Sequence, residues 1–500
     1  MSENNTVMNN RSTKKNFAFS ALLQIVIYLI PLLTAPYLSR VLGPEGIGEY
    51  SYASSIVGYF VMVVNFGFLG YGTLRISEKR DNIEERSGVF WSIVLVRFIL
   101  FIFAFSAYLV TIFLLYGHKG YNLTIYLILA LNIFVNLFDI TYLFQGLENF
   151  KIISIINVSI RLSSVGLIFI FVRNSEDLVI YILISTVQLL LMSILPWLFV
   201  RGAIIRPKKD YINLKDTTKT SLFYFLPTLA VTLYTLVDKT MLGSLAGNAE
   251  TGYYEQSTKI VSMVIGVIHA LAPVMLARIA YLIKNGNEEE VHKKIGQMFN
   301  VYFLIGFPSI IGLFCICGLF MPSFFGDDFT PAVGVMYFLI PLILIKNISN
   351  ALGNVFYGPR NQIHMTSIFY FVGAFVNIFG NALLIPSLKA QGAAIASLFS
   401  ETLITILFVI FSRKGIRYGV IIKTAFKPML ASLIMGFALL ILNSFVWSNI
   451  ISNRLIIIIV DVLIGACIYG AFVIIFRDPM VLNEIKVLRQ KINNFSLFRK

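Results

Sequence analysis

Long apolar stretches alternate with short polar connections from Phe17 to Phe476. They fall at 17–38, 47–72, 88–116, 122–145, 152–172, 178–200, 220–246, 253–283, 294–321, 332–356, 362–386, 391–412, 425–447 and 455–476. A helix rises 1.5 Å per residue, so about 20 apolar residues cover the hydrocarbon core of a bilayer. The pattern predicts an all-α integral membrane protein with fourteen transmembrane helices. Pro31, Pro36, Pro196, Pro227, Pro273, Pro308 and Pro341 fall within or near the ends of spans. In lipid such interruptions are tolerated where neighbouring helices or a wet cavity satisfy the freed carbonyls, so they predict packed or lumen-facing helices. Residues 1–16 are polar, with Arg11, Lys14 and Lys15, and lead into a full-length span, so no cleaved signal peptide is expected. Beyond Arg477, Val481, Ile485, Leu488, Ile492 and Phe495 recur at spacings of 4, 3, 4 and 3 among Lys and Arg. That tail, 477–500, is predicted to be an amphipathic helix on the inner membrane surface.

The chain also repeats itself. Residues 43–57 read GPEGIGEYSYASSIV and residues 247–261 read GNAETGYYEQSTKIV; without a gap, Gly43, Gly48, Tyr50, Ile56 and Val57 meet Gly247, Gly252, Tyr254, Ile260 and Val261. A proline interrupts the helix before each copy, Pro31 and Pro227. Gly146-Leu-Glu-Asn149 echoes Gly358-Pro-Arg-Asn361 at nearly the same offset. The repeat predicts two parallel six-helix lobes, 17–200 and 220–412, joined by a cytoplasmic linker at 201–219, with 425–476 as two extra helices. Alternating-access transporters are built in this way.

Charge orients the chain. Most of its 40 Lys and Arg residues lie at the termini and in the even-numbered connections, whereas the odd-numbered ones carry Arg40, Lys119, Arg173, Lys389 and Arg454. The positive-inside rule places both termini in the cytoplasm. A net charge of +15 could suggest nucleic acid, but the basic residues cluster in loops such as 201–219 and 413–427, where topology and anionic headgroups account for them. With 57 % hydrophobic and 13 % charged residues, no ordinary soluble domain is expected. Cys315, Cys317 and Cys467 lie in apolar helices without further ligands nearby, so they read as structural thiols, and no metal or cofactor is expected.

Ionisable groups inside spans are costly and face a cavity or a partner. Arg97, Arg161, Lys239, Lys259 and Lys346 lie at least one turn inside; the acids are Glu49, Asp139, Asp238, Glu255, Glu401 and Asp461. Arg278 is close enough to the cytoplasmic end to snorkel. Polar stripes extend these charges: Tyr224, Thr228, Thr232, Thr235 and Lys239; Asn132, Asn136 and Asp139; Asn347, Asn350 and Asn354. One stripe is explained by interhelical hydrogen bonds. Several stripes together with buried cations are better explained by a polar cavity. Glu255 and Lys259, four apart, can neutralise each other. Asp238 and Lys239 point about 100° apart, so at most one faces a cavity centre. His269, mid-span among apolar neighbours, reads as a packed, hydrogen-bonded histidine rather than a proton relay.

The run PLLTAPYLSRVLGPEGIGEYSYASSIVGYF (Pro31–Phe60), followed by GFLGYGTLRIS (Gly67–Ser77), resembles the amino-terminal signature of the bacterial polysaccharide-transporter family, the Wzx-type flippases. FQGLENFK (Phe144–Lys151) and YGPRNQ (Tyr357–Gln362) resemble its loops between spans 4–5 and 10–11. The family shares a superfamily with multidrug and toxic-compound extruders and the lipid II flippase. The resemblance implies a V-shaped pair of lobes around a central cavity. It also implies an undecaprenyl-pyrophosphate-linked oligosaccharide as cargo, carried from the inner to the outer leaflet of the cytoplasmic membrane for capsule, exopolysaccharide or O-antigen, and a polysaccharide polymerase machinery as downstream partner. Arg97, Arg161, Lys239, Lys259 and Lys346 are the candidate cationic lumen for the pyrophosphate. Lipid II and teichoic-acid precursors remain alternatives within this class. A drug extruder would favour a lumen rich in acids and aromatics, which the buried bases oppose. A polymerase or glycosyltransferase would need catalytic residues on a sizeable outer loop, and beyond Asp327-Asp328 none offers a carboxylate pair. No G-x-x-x-x-G-K-[ST] motif occurs. Transport would therefore run on an ion gradient, on membrane potential, or on removal of cargo outside. Asp139 and Asp238, one per repeat and each on or beside a polar face, are the candidate coupling carboxylates, and the superfamily resemblance implies Na⁺ or H⁺ antiport.

Overall fold

The computed structural model describes residues 2–116, 123–270, 272–360, 362–413, 415–447 and 453–477. The tail helix expected after Arg477 lies outside them. Among the described residues the regular structure is helical, apart from one isolated bridge between Arg201 and Ile204. Eleven helical stretches among the described residues are long and apolar enough to cross a membrane. Large apolar side chains lie outward, with Phe103, Leu114, Phe375 and Phe437 at 68–73 % exposure, as a chain solvated by hydrocarbon requires. This is a multi-pass membrane protein.

Two of the stretches, Ile30–Glu78 with 49 residues and Ile363–Ser412 with 50, are far too long for one crossing. Each contains a residue outside helical geometry: Gly43 (φ 66, ψ 177) and Lys389 (φ 52, ψ −129). Only glycine adopts the Gly43 conformation without strain. The left-handed Lys389 is held by Glu250, which lies 3.4 Å from its ammonium and accepts from the Ala390 amide at 3.2 Å. The expected span at 253–283 is instead two shorter helices that meet around Ala270.

The chain divides into two compact units. The first holds the described residues up to Glu255 together with Asn377–Ala393; the second holds Gln256–Val376 and the described residues from Ala394. In the first unit run α1 (Ser2–Asn65), α2 (Phe68–Glu78), α3 (Ile83–Tyr116), α4 (Leu123–Leu137), α5 (Thr141–Gly146), α6 (Phe150–Phe171), α7 (Leu178–Ile194), α8 (Leu214–Leu245) and the start of α9 (Asn248–His269). The second continues α9 and adds α10 (Ala272–Lys284), α11 (Glu288–Phe325), α12 (Ala332–Leu339), α13 (Leu342–Asn350), most of α14 (Ile363–Ser412), α15 (Tyr418–Ile441) and α16 (Arg454–Ile475).

Glycines let α1 and α2 follow α8 for most of its length. A Cβ on Gly67 would meet the α8 backbone at Ser221–Phe225, and one on Gly58 would meet Leu236. Tyr71 reaches Thr217 at 3.3 Å, Ser55 and Tyr59 reach Thr240 at 2.9 and 3.1 Å, and Tyr52 reaches Ser244 at 3.3 Å. Where α9 begins, the two copies of the sequence repeat meet reciprocally. A Cβ on Gly48 would overlap the Asn248 carbonyl, and one on Gly252 would overlap the Pro44 carbonyl. In the repeat register Pro44 corresponds to Asn248 and Gly48 to Gly252. Gly43 and its counterpart Gly247 both have positive φ, 66° and 94°.

The segment between α7 and α8 is stitched to the start of α3. Arg86 donates to the Ala203 carbonyl at 2.6 and 3.0 Å, and Ser87 accepts from the Ile205 amide at 3.0 Å. Trp91 Nε1 donates to the Ile205 carbonyl at 3.1 Å, and Ser92 accepts from the Asn213 amide at 3.0 Å. Lys208 lies 2.5 Å from Glu84, whose carboxylate raises both the Lys208 ammonium and the Tyr211 phenol above their ordinary pKa. Gly88 has no Cβ to obstruct the Tyr211 carbonyl.

In the second unit α11, α15 and α16 pack together around an apolar cavity of about 490 Å³, lined by Leu304, Pro308, Met435, Leu439, Asp461 and Tyr469 among others. Asp461 is buried and accepts from Asn443 Nδ2 at 2.9 Å. Cys317 is buried, Cys315 half-buried and Cys467 exposed; all three are free thiols, and the described residues hold no cluster of His, Cys, Asp and Glu suited to a metal.

Candidate functional site

The densest polar constellation lies in the first unit around α8. One turn of α8 carries Asp238 and Lys239, and they diverge as 100° per residue requires. Asp238 is 3 % exposed; its carboxylate accepts from Tyr254 Oη at 2.6 Å and from Asn381 Nδ2 at 2.7 Å. Asn381 Nδ2 also lies 3.2 Å from Asn377 Oδ1, and both asparagines are fully buried on the α14 segment that belongs to this unit. Asn381 Oδ1 has no hydrogen-bond partner among the described residues. Lys239 turns to Glu255 at 2.6 Å, and Glu255 also accepts from Ser51 Oγ at 3.0 Å. Asp238 with a phenol and two amides, and Lys239 with a second carboxylate, thus form two polar groups on different faces of α8 where hydrocarbon surrounds the protein. Two threonines of the α8 stripe are satisfied locally: Thr228 donates to the Tyr224 carbonyl and Thr235 to those of Val231 and Thr232.

Arg97 and Asp139 meet elsewhere in this unit, at a place where two spans are broken. α1 gives way to α2 across Phe66 (φ 33) and Gly67 (φ 73), and α4 gives way to α5 across residues 138–140. A break in a membrane frees carbonyls that something must satisfy. Trp197 Nε1 donates to the Phe138 carbonyl at 2.7 Å, and Arg97 donates to the Asp139 carbonyl. The guanidinium also lies over Phe68 and Tyr142, at 5.1 and 5.6 Å from the ring centroids. These residues open α2 and α5. Asp139 Oδ1 accepts from the Thr141 amide, the first N–H of α5, at 2.9 Å. Arg97 is only 2 % exposed, packed beside the apolar cluster of Phe68, Tyr71, Phe90, Ile93, Tyr142 and Phe144. Arg97, a candidate lumen cation, and Asp139, a candidate coupling carboxylate, thus both bond to backbone at the break after α4, and Arg97 Nε has no hydrogen-bond partner among the described residues.

Arg161 sits mid-way along α6, half-buried. No ion pair engages its guanidinium among the described residues, and its Nε is sealed without a partner. In the second unit Lys346 on α13 lies 3.2 Å from Glu401, whose side chain is 2 % exposed. Lys259 is half-buried on α9. His269 is hydrogen-bonded to Asn350 at 2.7 Å, the packed arrangement expected for it. Sequence reading passed over Tyr254, Asn377 and Asn381. The two asparagines, four apart in an otherwise apolar stretch, carried the same signal as the stripes that were recognised.

Residues 13–280 match the family described as polysaccharide biosynthesis protein, more than half of the chain, and the chain belongs to that family. It is 25 % identical over 409 residues to a protein of Escherichia coli (strain K12) described as an O-antigen transporter, covering 81 % of this chain and 98 % of that one. Its fold is similar to that of the lipid II flippase MurJ in an inward closed conformation, with a TM-score of 0.72 at 16 % identity, over 93 % of this chain and 100 % of that one. It is also similar to an inward-facing multidrug resistance MATE family transporter of the MOP superfamily, with a TM-score of 0.57 at 14 % identity, over 80 % and 99 % of the two chains.

Proposed function

We propose that this member of the polysaccharide biosynthesis protein family is a flippase rather than an enzyme. Its cargo is a polyprenyl-pyrophosphate-linked oligosaccharide repeat unit, moved from the inner to the outer leaflet of the cytoplasmic membrane for assembly of a surface polysaccharide. The chain crosses fourteen times with both termini inside: the 49- and 50-residue stretches each cross twice, and α9 with α10 supplies one further crossing. Six spans in each repeat form a lobe, and α15 and α16 are the additional pair.

The observation that carries the cargo class is Arg161. A fixed guanidinium at mid-depth, with no ion pair among the described residues, is costly in hydrocarbon and useful to an anion that must leave water. Lys239 is a second candidate cation in the same unit, and Lys259 and Lys346 are candidates within the second unit; the carboxylate partners of Lys239 and Lys346 allow their charge to be exposed or neutralised. Arg97 and Asp139 serve the architecture. Relatives named for O-antigen transport support the same reading.

We assign ion coupling to Asp238. Amide nitrogen and oxygen exchange places by rotation of the side chain. Turning Asn381 brings its unsatisfied Oδ1 towards Asp238, beside Asn377 Oδ1, and yields an all-oxygen set suited to a hard cation such as Na⁺. Deleting the protein should abolish surface polysaccharide and leave the lipid-linked unit on the cytoplasmic face. Normal polysaccharide with heightened drug sensitivity would replace this reading by that of an extruder.

A further inference from the structure

In the second unit, helix interruptions bring three neutral polar side chains together. α9 ends at His269, and α10 begins only at Ala272. α13 ends at Asn350 and passes into a π-helix over Ala351–Tyr357, a widened geometry that recurs at functional sites. Asn350 Oδ1 accepts from Asn354 Nδ2 at 2.7 Å and meets His269 Nε2 at the same distance. A carbonyl oxygen only accepts, so Nε2 carries the proton and, in the neutral ring, Nδ1 is a bare acceptor.

The three atoms left over are His269 Nδ1, Asn350 Nδ2 and Asn354 Oδ1: an acceptor, a donor and an acceptor. None makes a hydrogen bond within the described residues, and none is sealed from its surroundings, since Asn354 is exposed and the other two residues are half-buried. An exposed amide facing hydrocarbon would be a liability, and the interhelical bond between His269 and Asn350 needs no Asn354.

We infer that His269, Asn350 and Asn354 form a glycan-binding subsite, which receives hydroxyl groups of the sugar while the cations elsewhere serve the pyrophosphate. The inference rests on the flippase reading and adds to it the group that recognises the sugar. The chemistry separates the parts of the cargo. A hydroxyl both donates and accepts, so a row of mixed donors and acceptors suits neighbouring sugar hydroxyls. A pyrophosphate only accepts and would be repelled by Nδ1 and Oδ1. An isoprenoid offers nothing to either.

The test uses the full chain in detergent with two kinds of probe: farnesyl pyrophosphate, and farnesyl pyrophosphate bearing glucose, galactose or N-acetylglucosamine. Wild type should bind at least one sugar-bearing probe more tightly than the bare one. Asn354→Ala should weaken that probe about 3- to 10-fold, the worth of a neutral hydrogen bond, and leave the bare probe unchanged. His269→Phe should do the same, whereas Arg161→Ala should weaken both kinds. Equal loss on both probes, no loss on either, or no sugar-dependent gain in wild type would overturn the subsite and leave the flippase reading standing. A wild-type protein that binds no probe at all would overturn the flippase reading and the subsite with it.

Discussion

If a cation loads onto Asp238 from outside, membrane potential should help it by an amount the structure sets. Asp238 lies seven residues before Leu245, the last residue of α8 and, in the proposed orientation, its outer end. At 1.5 Å per residue that is about 10 Å of a hydrocarbon core about 30 Å thick. A full crossing is worth about 2.3 kcal/mol per 100 mV, so entry to this depth gains about 0.8 kcal/mol, or about four-fold in apparent affinity. Flipping would be followed in proteoliposomes as a function of external Na⁺ or H⁺, at zero and at 100 mV inside-negative. The half-saturating concentration should fall about four-fold in wild type. Asp238→Asn keeps the side-chain shape but removes the charge, and should abolish both the ion dependence and its voltage response. An unchanged response in Asp238→Asn would remove the carboxylate from coupling, and an indifferent wild type would make the protein a passive facilitator. A full-field response of about 50-fold would place the loading step on the far side of the membrane from where α8 puts it.

Three further outcomes follow from geometry. Arg97→Met should lower stability by about 1–3 kcal/mol, because the Asp139 carbonyl loses its donor, while affinity for an anionic lipid probe stays unchanged; lost affinity at unchanged melting temperature would return Arg97 to the binding site. Gly48→Ala and Gly252→Ala should destabilise to a similar extent, each by about 1–3 kcal/mol in a thermal-shift assay, since each Cβ strikes a backbone carbonyl that cannot give way; a neutral result for one of them would show that the contact is not reciprocal. Because the folded pKa of Lys208 is raised by Glu84, its contribution to docking the linker is complete below the ordinary lysine value and is lost as pH rises through the folded one; trypsin cleavage at 201–213 should stay slow from pH 7 to about 10 and accelerate above it, and early acceleration would mean that the ion pair does not hold the segment.

Hydropathy disclosed the membrane-crossing stretches because that property is local and additive along a helix. The echo between 43–57 and 247–261 was more informative than its five identities suggest: two of its glycines share positive φ, and two others form the reciprocal contact. Arg97 shows where such reading stops. Depth within a span locates a charge along the membrane normal, but leaves open whether it faces water, lipid or another helix. What engages Arg97 is a carbonyl freed by a break at 138–140 that no proline announces, and two aromatic rings from other helices. The Asp238 cluster was half legible for a related reason. The aspartate stood out as a charge, whereas Asn377 and Asn381 are more than a hundred positions away and acquire meaning only once α14 is folded against α8. The repeat and the charges predict a linker at 201–219; its attachment to α3 depends on backbone amides and carbonyls, which side-chain patterns do not reveal.

The reciprocal crossing of Gly48 and Gly252 also bears on origin. Contacts of the form i to j and j to i are the mark of a two-fold interface between identical subunits. A half-length ancestor carrying one copy of the motif would have offered a second molecule both the notch left by its glycine and the carbonyl that enters it. Within one chain each side is free to differ from its twin, and a tyrosine bonds a buried aspartate at Tyr254 and Asp238, with Tyr50 and Thr34 in the equivalent places. The glycines are thus the symmetric part of the joint, and the carboxylate is its asymmetry.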